Sequence, residues 1–251
     1  MSNKKDLFFE VCCGSAEDAI EAAKGGAHRV ELNSDLFHGG LTPTVGSLLT
    51  VKKHTSIPVM CMVRPREGGF CYTDTEFEVM LQDATCLLEN GADGIVFGFL
   101  HEDGTVDEEK TAKMLSVIGD RESVFHRAID VTPDVFKALD TLISLGVRRV
   151  LTSGQKPTVP MGAETIRKMI EYADGRIEIL PGGGIDAYNA AWCRKAIGTD
   201  MMHAAVHRTA TDRSCSGNPE IYFGGAVYPP EDRYLIADAK GIAEFYSAAN
   251  S

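Results

Sequence analysis

The chain has no CxxC pair, no apolar run long enough to cross a membrane, and a shortage of basic charge. Its cysteines, Cys12, Cys13, Cys61, Cys71, Cys86, Cys193 and Cys215, number seven, so they cannot all pair, and their spacing is not that of a zinc ligand set. Free thiols in a reducing cytosol are therefore expected rather than a disulfide framework. Against 36 acidic residues stand only 25 basic ones, a net charge of −11. Nucleic acid and anionic membrane surfaces both demand a basic footprint, so neither is expected as a partner. The apolar run after Lys4 and Lys5 is broken by Glu10 and does not read as a secretory signal. These absences predict a soluble cytoplasmic protein.

What is present is a regular alternation. Short β-rich apolar runs at 7–12, 29–33, 59–64, 94–99, 123–127, 149–152, 177–181 and 201–205 are each followed by a helical pattern. Helix-start signals support the reading: Ser15 with Asp18, Thr73 with Glu76, and the pairs Thr42-Pro43 and Thr132-Pro133. Eight βα units in 251 residues predict an α/β fold, a single-domain (β/α)8 TIM barrel over 1–251. Gly26, Gly91, Gly146 and Gly198 precede the second, fourth, sixth and eighth strands, which suggests four βαβα modules. The stretch 206–233 is expected to be a long loop before a last helix at roughly 234–250. A loop of that length is usually functional, whether as a lid, a subunit contact or a docking surface.

Candidate chemistry gathers where strands should end. The stretch Phe125-His126-Arg127-Ala128-Ile129-Asp130 begins apolar and closes in charge, at the edge where α/β proteins bind ligands. Alternation along the strands aims Glu10 and Cys12, Glu31 and Asn33, Met60, Met62 and Arg64, His126 and His203 at the barrel axis. Barrel interiors are normally apolar, and buried carboxylates are costly unless paired. So Glu10, Glu31, Arg64, His126, Arg127 and Asp130 form a candidate catalytic set; alternatively, Glu10, Glu31, Arg64 and Arg127 neutralise one another as a structural ion network. Gly182, Gly183 and Gly184 expose backbone N–H groups and, with Ser153, form a candidate anion site, although a plain tight turn is the simpler reading. A soft set of Cys12, Met60, Met62, His126 and His203 could hold Cu(I), with Cys12 and His126 as first-choice ligands. Cys13 should face away from Cys12 while the strand persists.

Assembled in order, the motifs resemble the CutC family. They are EVC at 10–12, RVEL at 29–32, GGLTP at 39–43, RPR at 64–66, GADGIVFG at 91–98, FHRAID at 125–130, LTSG at 151–154 and PGGGI at 181–185. The resemblance implies a cytoplasmic TIM barrel, commonly a homo-oligomer (dimer or tetramer), with a role in copper homeostasis through copper binding. It also implies a Cu(I) ligand at Cys12; where some members carry a second cysteine, this chain has Asn33. The shared Glu, Arg, His, Asp and Gly residues favour, as an alternative, an enzyme acting by acid/base chemistry on a small anionic substrate, phosphorylated or not.

Overall fold

The computed structural model describes residues 6–223 and 232–251. Eight parallel strands follow one another around a barrel: β1 (Phe8–Cys13), β2 (Arg29–Leu32), β3 (Val59–Met62), β4 (Gly94–Phe97), β5 (Glu122–Phe125), β6 (Arg149–Thr152), β7 (Glu178–Pro181) and β8 (Met201–Ala204). Each neighbours the next in sequence, and β8 returns to β1, with Glu10 opposite His203. The remaining seam, between β7 and β8, is bridged at Gly182 and His203. A Cβ at Gly182 would lie 2.5 Å from the Leu151 side chain and 3.0 Å from that of His203, so closure needs glycine there. The (β/α)8 TIM barrel read from the sequence is the observed fold.

Helices α1 (Ala16–Lys24), α2 (Val45–His54), α3 (Asp74–Glu89), α4 (Glu108–Ile118), α5 (Val135–Leu145), α6 (Val159–Ala173), α7 (Ala190–Ile197) and α8 (Ala239–Asn250) follow the strands. Alternation sorts the strand residues into two cores. Phe9, Val11, Cys13, Val30, Leu32, Cys61, Ile95 and Phe97 belong to the large core shared with the helices. Met60, Met62, Val96, Val124, Leu151 and Leu180 form a separate cluster inside the barrel. Cys12 and Cys13 thus face opposite ways, as their adjacency in one strand demands.

Several local expectations are corrected. Neither Thr-Pro pair starts a helix. The Thr132 hydroxyl bonds Ile129 O and closes a 3₁₀ turn over Arg127–Val131, while the Asp134 carboxylate accepts the Phe136 and Lys137 N–H groups and caps α5. Thr42 is engaged with the backbone of Arg64, and Thr44 caps α2. Thr73 and Glu76 do form a full capping box. The glycine regularity is not confined to alternate strands: Gly119 (φ 60°) precedes β5 and Gly175 (φ 73°) precedes β7, whereas α2 leaves for β3 through Thr55 in extended backbone (φ −140°) with no left-handed residue. The stretch expected as a long loop carries an antiparallel ribbon of β9 (His207–Thr211) and β10 (Arg233–Ala237), so α8 begins later than expected. Positions 224–231 of that stretch lie outside the described residues.

Candidate functional site

Strand register brings the first cluster together. In the parallel sheet Glu10 lies opposite Arg29 on one side and His203 on the other, and Cys12 lies opposite Glu31. These side chains face the axis, so register stacks two polar levels inside the barrel, Glu10 with Arg29 below and Cys12 with Glu31 above it at the pocket. The Glu10 carboxylate accepts from Arg29 Nε and takes His203 Nδ1 at 2.7 Å. The Nε2 of the same imidazole lies 3.9 Å from Glu31 Oε2, which also receives Asn33 Nδ2 at 3.0 Å and the Cys12 thiol at 3.6 Å. One ligating atom each from Cys12, Glu31 and His203 falls within 4.8 Å of the others.

Burial and charge set the protonation states. Burial alone would raise the Glu10 carboxyl, but the His203 hydrogen bond and the Arg29 guanidinium prevail and hold it at about 2. Burial would equally depress His203, yet Glu31, Cys12 and Glu10 together push it well above the ordinary imidazole value. Burial raises the Glu31 carboxyl, and Glu10 adds to the rise. The Cys12 thiol is pushed up to about 12, first by burial and then by Glu31.

Above this cluster lies a pocket of about 460 Å³. Its wall includes Cys12, Glu31, Met62, Arg64, His126, Arg127, Gly182, Gly183, Gly184 and His203. His126 packs on Phe70 with ring centroids 4.8 Å apart, and its Nδ1 accepts the Ala128 N–H at 3.1 Å. That bond assigns the ring proton of the neutral form to Nε2, which is buried without a partner. Burial, then the Arg64 charge, lowers His126 to about 3, so it is neutral at physiological pH. Arg64 gives its Nη groups to the carbonyls of His38, Gly40 and Gly68. A larger cleft of about 880 Å³ between α3, α4 and α5 contains none of the expected site residues.

The sequence-derived candidates are thus largely gathered, with changed roles. Glu31, Arg64, His126, Arg127, Cys12 and the three glycines border one pocket, while Glu10 is buried behind His203 and does not. Asp130 is fully engaged: its carboxylate takes Thr152 Oγ1, the N–H groups of Ser153 and Gln155, Ser153 Oγ and Arg127 Nε. It and Ser153 hold Arg127 in place rather than facing the cavity. The ion network imagined among Glu10, Glu31, Arg64 and Arg127 does not exist; Glu10 pairs with Arg29 and His203, and Arg127 with Asp130. His126, expected beside Cys12, is not in the group whose ligating atoms converge, which is Cys12, Glu31 and His203, and its Nδ1 is taken by backbone. Arg29 and Phe70 were missed. Arg29 shares its face with Glu31 and Asn33 at two-residue spacing, a signal that was legible, whereas Phe70 sits in a Gly-rich loop with no periodicity to betray it.

The CutC family sequence model matches residues 7–208. A family protein CutC from Treponema denticola is 54% identical over 233 residues, covering 93% of this chain and 95% of that protein. The chain belongs to the CutC family. The human copper homeostasis protein cutC homolog is 38% identical over 245 residues, covering 98% and 90% of the two chains. The crystal structure of a CutC from Streptococcus agalactiae superposes with a TM-score of 0.75 at 32% identity, over 79% of this chain and 98% of that one. A phosphoribosylanthranilate isomerase from Pyrococcus furiosus, at 13% identity, TM-score 0.55 and 97% and 98% coverage, shares the barrel fold alone. Within this CutC chain, no helix among the described residues is long and apolar enough to cross a membrane.

Proposed function

We propose that this CutC-family protein serves copper homeostasis in the cytoplasm by holding Cu(I) between Cys12 Sγ and His203 Nε2, with Glu31 beside them. The carrying observation is the convergence of those three side chains within 4.8 Å at the mouth of the barrel. Thiolate and imidazole suit a soft monovalent ion. Glu10 on His203 Nδ1 is the carboxylate–histidine arrangement that orients a ligating imidazole through its far nitrogen. Asn33, in the place of a second cysteine, contributes Nδ2 as a donor to Cys12 Sγ at 3.6 Å and stabilises a thiolate rather than binding metal. The seven cysteines are all unpaired, as a reducing compartment requires. The relatives described as copper homeostasis proteins support the same reading.

A competition titration with a chromogenic Cu(I) chelator under anaerobic, reducing conditions tests it. About one tightly held Cu(I) per chain is expected, with Cys12→Ser and His203→Gln each losing at least about 100-fold in affinity and Glu10→Gln about 10- to 100-fold. His126→Gln should leave the affinity unchanged. Full-affinity binding by Cys12→Ser would remove the site.

A further inference from the structure

Arg64 is buried, lines the pocket and has no carboxylate within ion-pair distance among the described residues. The contrast with the other buried arginines is plain. Arg29 pairs with Glu10, Arg149 with Glu122 and Glu178, and Arg194 with Asp200. Arg64 has three carbonyls on its Nη groups and the centre of the Phe70 ring 5.5 Å from its Cζ, neither of which carries a negative charge, and its buried Nε has no partner. A buried cation left without a counter-ion is costly, which calls for an anion supplied from outside the chain.

A second guanidinium faces the same space. Asp130 takes Arg127 Nε at 2.9 Å and Ser153 Oγ takes Nη2 at 2.6 Å, which locks the plane of the group. Its Nη1 makes no bond to a described residue and lies against Gly183, where a Cβ would come within 3.1 Å of it. Asp130 balances the charge of this guanidinium, but Nη1 stays available as a donor toward the pocket. The N–H groups of Gly184 and Ile185, on the same wall, donate to no described residue. The neutral His126 adds an unpartnered Nε2–H. Of the carboxylates nearby, Glu10 is neutralised by Arg29 and His203, while Glu31 has His203, Asn33 and Cys12 on Oε2 and leaves Oε1 without a partner at the far side of the pocket from Arg127 and Gly183.

From these groups we propose that the pocket is a binding site for a small phosphomonoester, its phosphoryl group held by Arg64, Arg127 and the N–H groups of Gly184 and Ile185 and its remainder lying over Met62 and Leu151 toward Glu31. Two guanidinium groups and several N–H donors match a dianion with three terminal oxygens better than a planar monocarboxylate. Both sites border one pocket, but the phosphoryl donors Arg64 and Arg127 are not among the proposed Cu(I) ligands Cys12 and His203, so substitution at one set tests it apart from the other.

The test uses the intact chain with inorganic phosphate and glycerol phosphate as probes and acetate as the comparison. Isothermal titration should show saturable binding of both phosphate probes, weakened at least about tenfold by Arg127→Gln and unchanged by Cys12→Ser. Arg148→Gln, at the opposite end of the barrel, makes the same charge change and should have no effect. Because Arg64→Gln could unfold the loops it ties together, the wild-type protein carries a second measurement. Phenylglyoxal modification of Arg127, read by mass spectrometry, should be slowed by phosphate while that of Arg148 is not. Absence of saturable phosphate binding, equal binding by Arg127→Gln, or acetate binding as tightly as phosphate would each overturn the assignment.

Discussion

Two histidines share one pocket wall and meet opposite surroundings. His203 lies between two carboxylates and is held protonated; His126 lies between Phe70 and the Arg64 charge and is held neutral. Nitrogen-detected NMR on the metal-free protein should therefore find His203 charged at pH 7 and His126 uncharged down to about pH 4. Both rings titrating near 6.5 would contradict the electrostatic account. The sign for stability follows from linkage. The unfolded chain takes up a proton at His126 below about pH 6.5, while the folded chain resists until about 3. His126 thus costs nothing above 6.5 and destabilises progressively as pH falls toward 3, by about 1.4 kcal/mol per pH unit. Urea midpoints of wild type and His126→Gln should diverge in that window and run parallel above it.

At the scale of elements, the polar site depends on how a helix meets a loop. Gly162, in α6, packs so closely under the loop after β6 that a Cβ would lie 1.9 Å from Ser153 O. Ser153 in turn holds both Asp130 and Arg127. Gly162→Ala should therefore cost about 2–3 kcal/mol through overpacking and loosen Arg127 as well. Denaturant unfolding gives the first effect, and faster phenylglyoxal modification of Arg127 the second. An alanine variant as stable as wild type would show that the loop yields freely. Much of this level was legible beforehand. The alternation in β1 to β3 aimed Glu10, Cys12, Glu31 and Met62 inward because a strand's period is two and barrel strands must bury their outer face against helices. The helix starts at Thr42 and Thr132 were misread for a local reason: both hydroxyls are consumed by tertiary or turn partners, Arg64 backbone and Ile129 O, so the cap passes to Thr44 and Asp134.

For the whole molecule, Phe37, Tyr188, Trp192 and Leu235 are exposed on the described surface, apolar area that a subunit contact would cover. Self-association into a dimer or tetramer is the expected outcome in sedimentation velocity at micromolar concentration, and a monomer there would refute it. Taken alone, the amino-acid order determined the eight-fold alternation, the inward faces and the membership of the family, because periodicity and motif are properties of neighbours along the chain. It did not determine which charge would answer which. Glu10 could be assigned Arg29 and His203 only once the register of β1 with β2 and β8 was known, and Arg64 could be found without a counter-ion only once every carboxylate around it had a place. Pairing in a buried site is decided by distances across the sheet, over 19 residues of chain in one case and 193 in the other, and no local pattern encodes them.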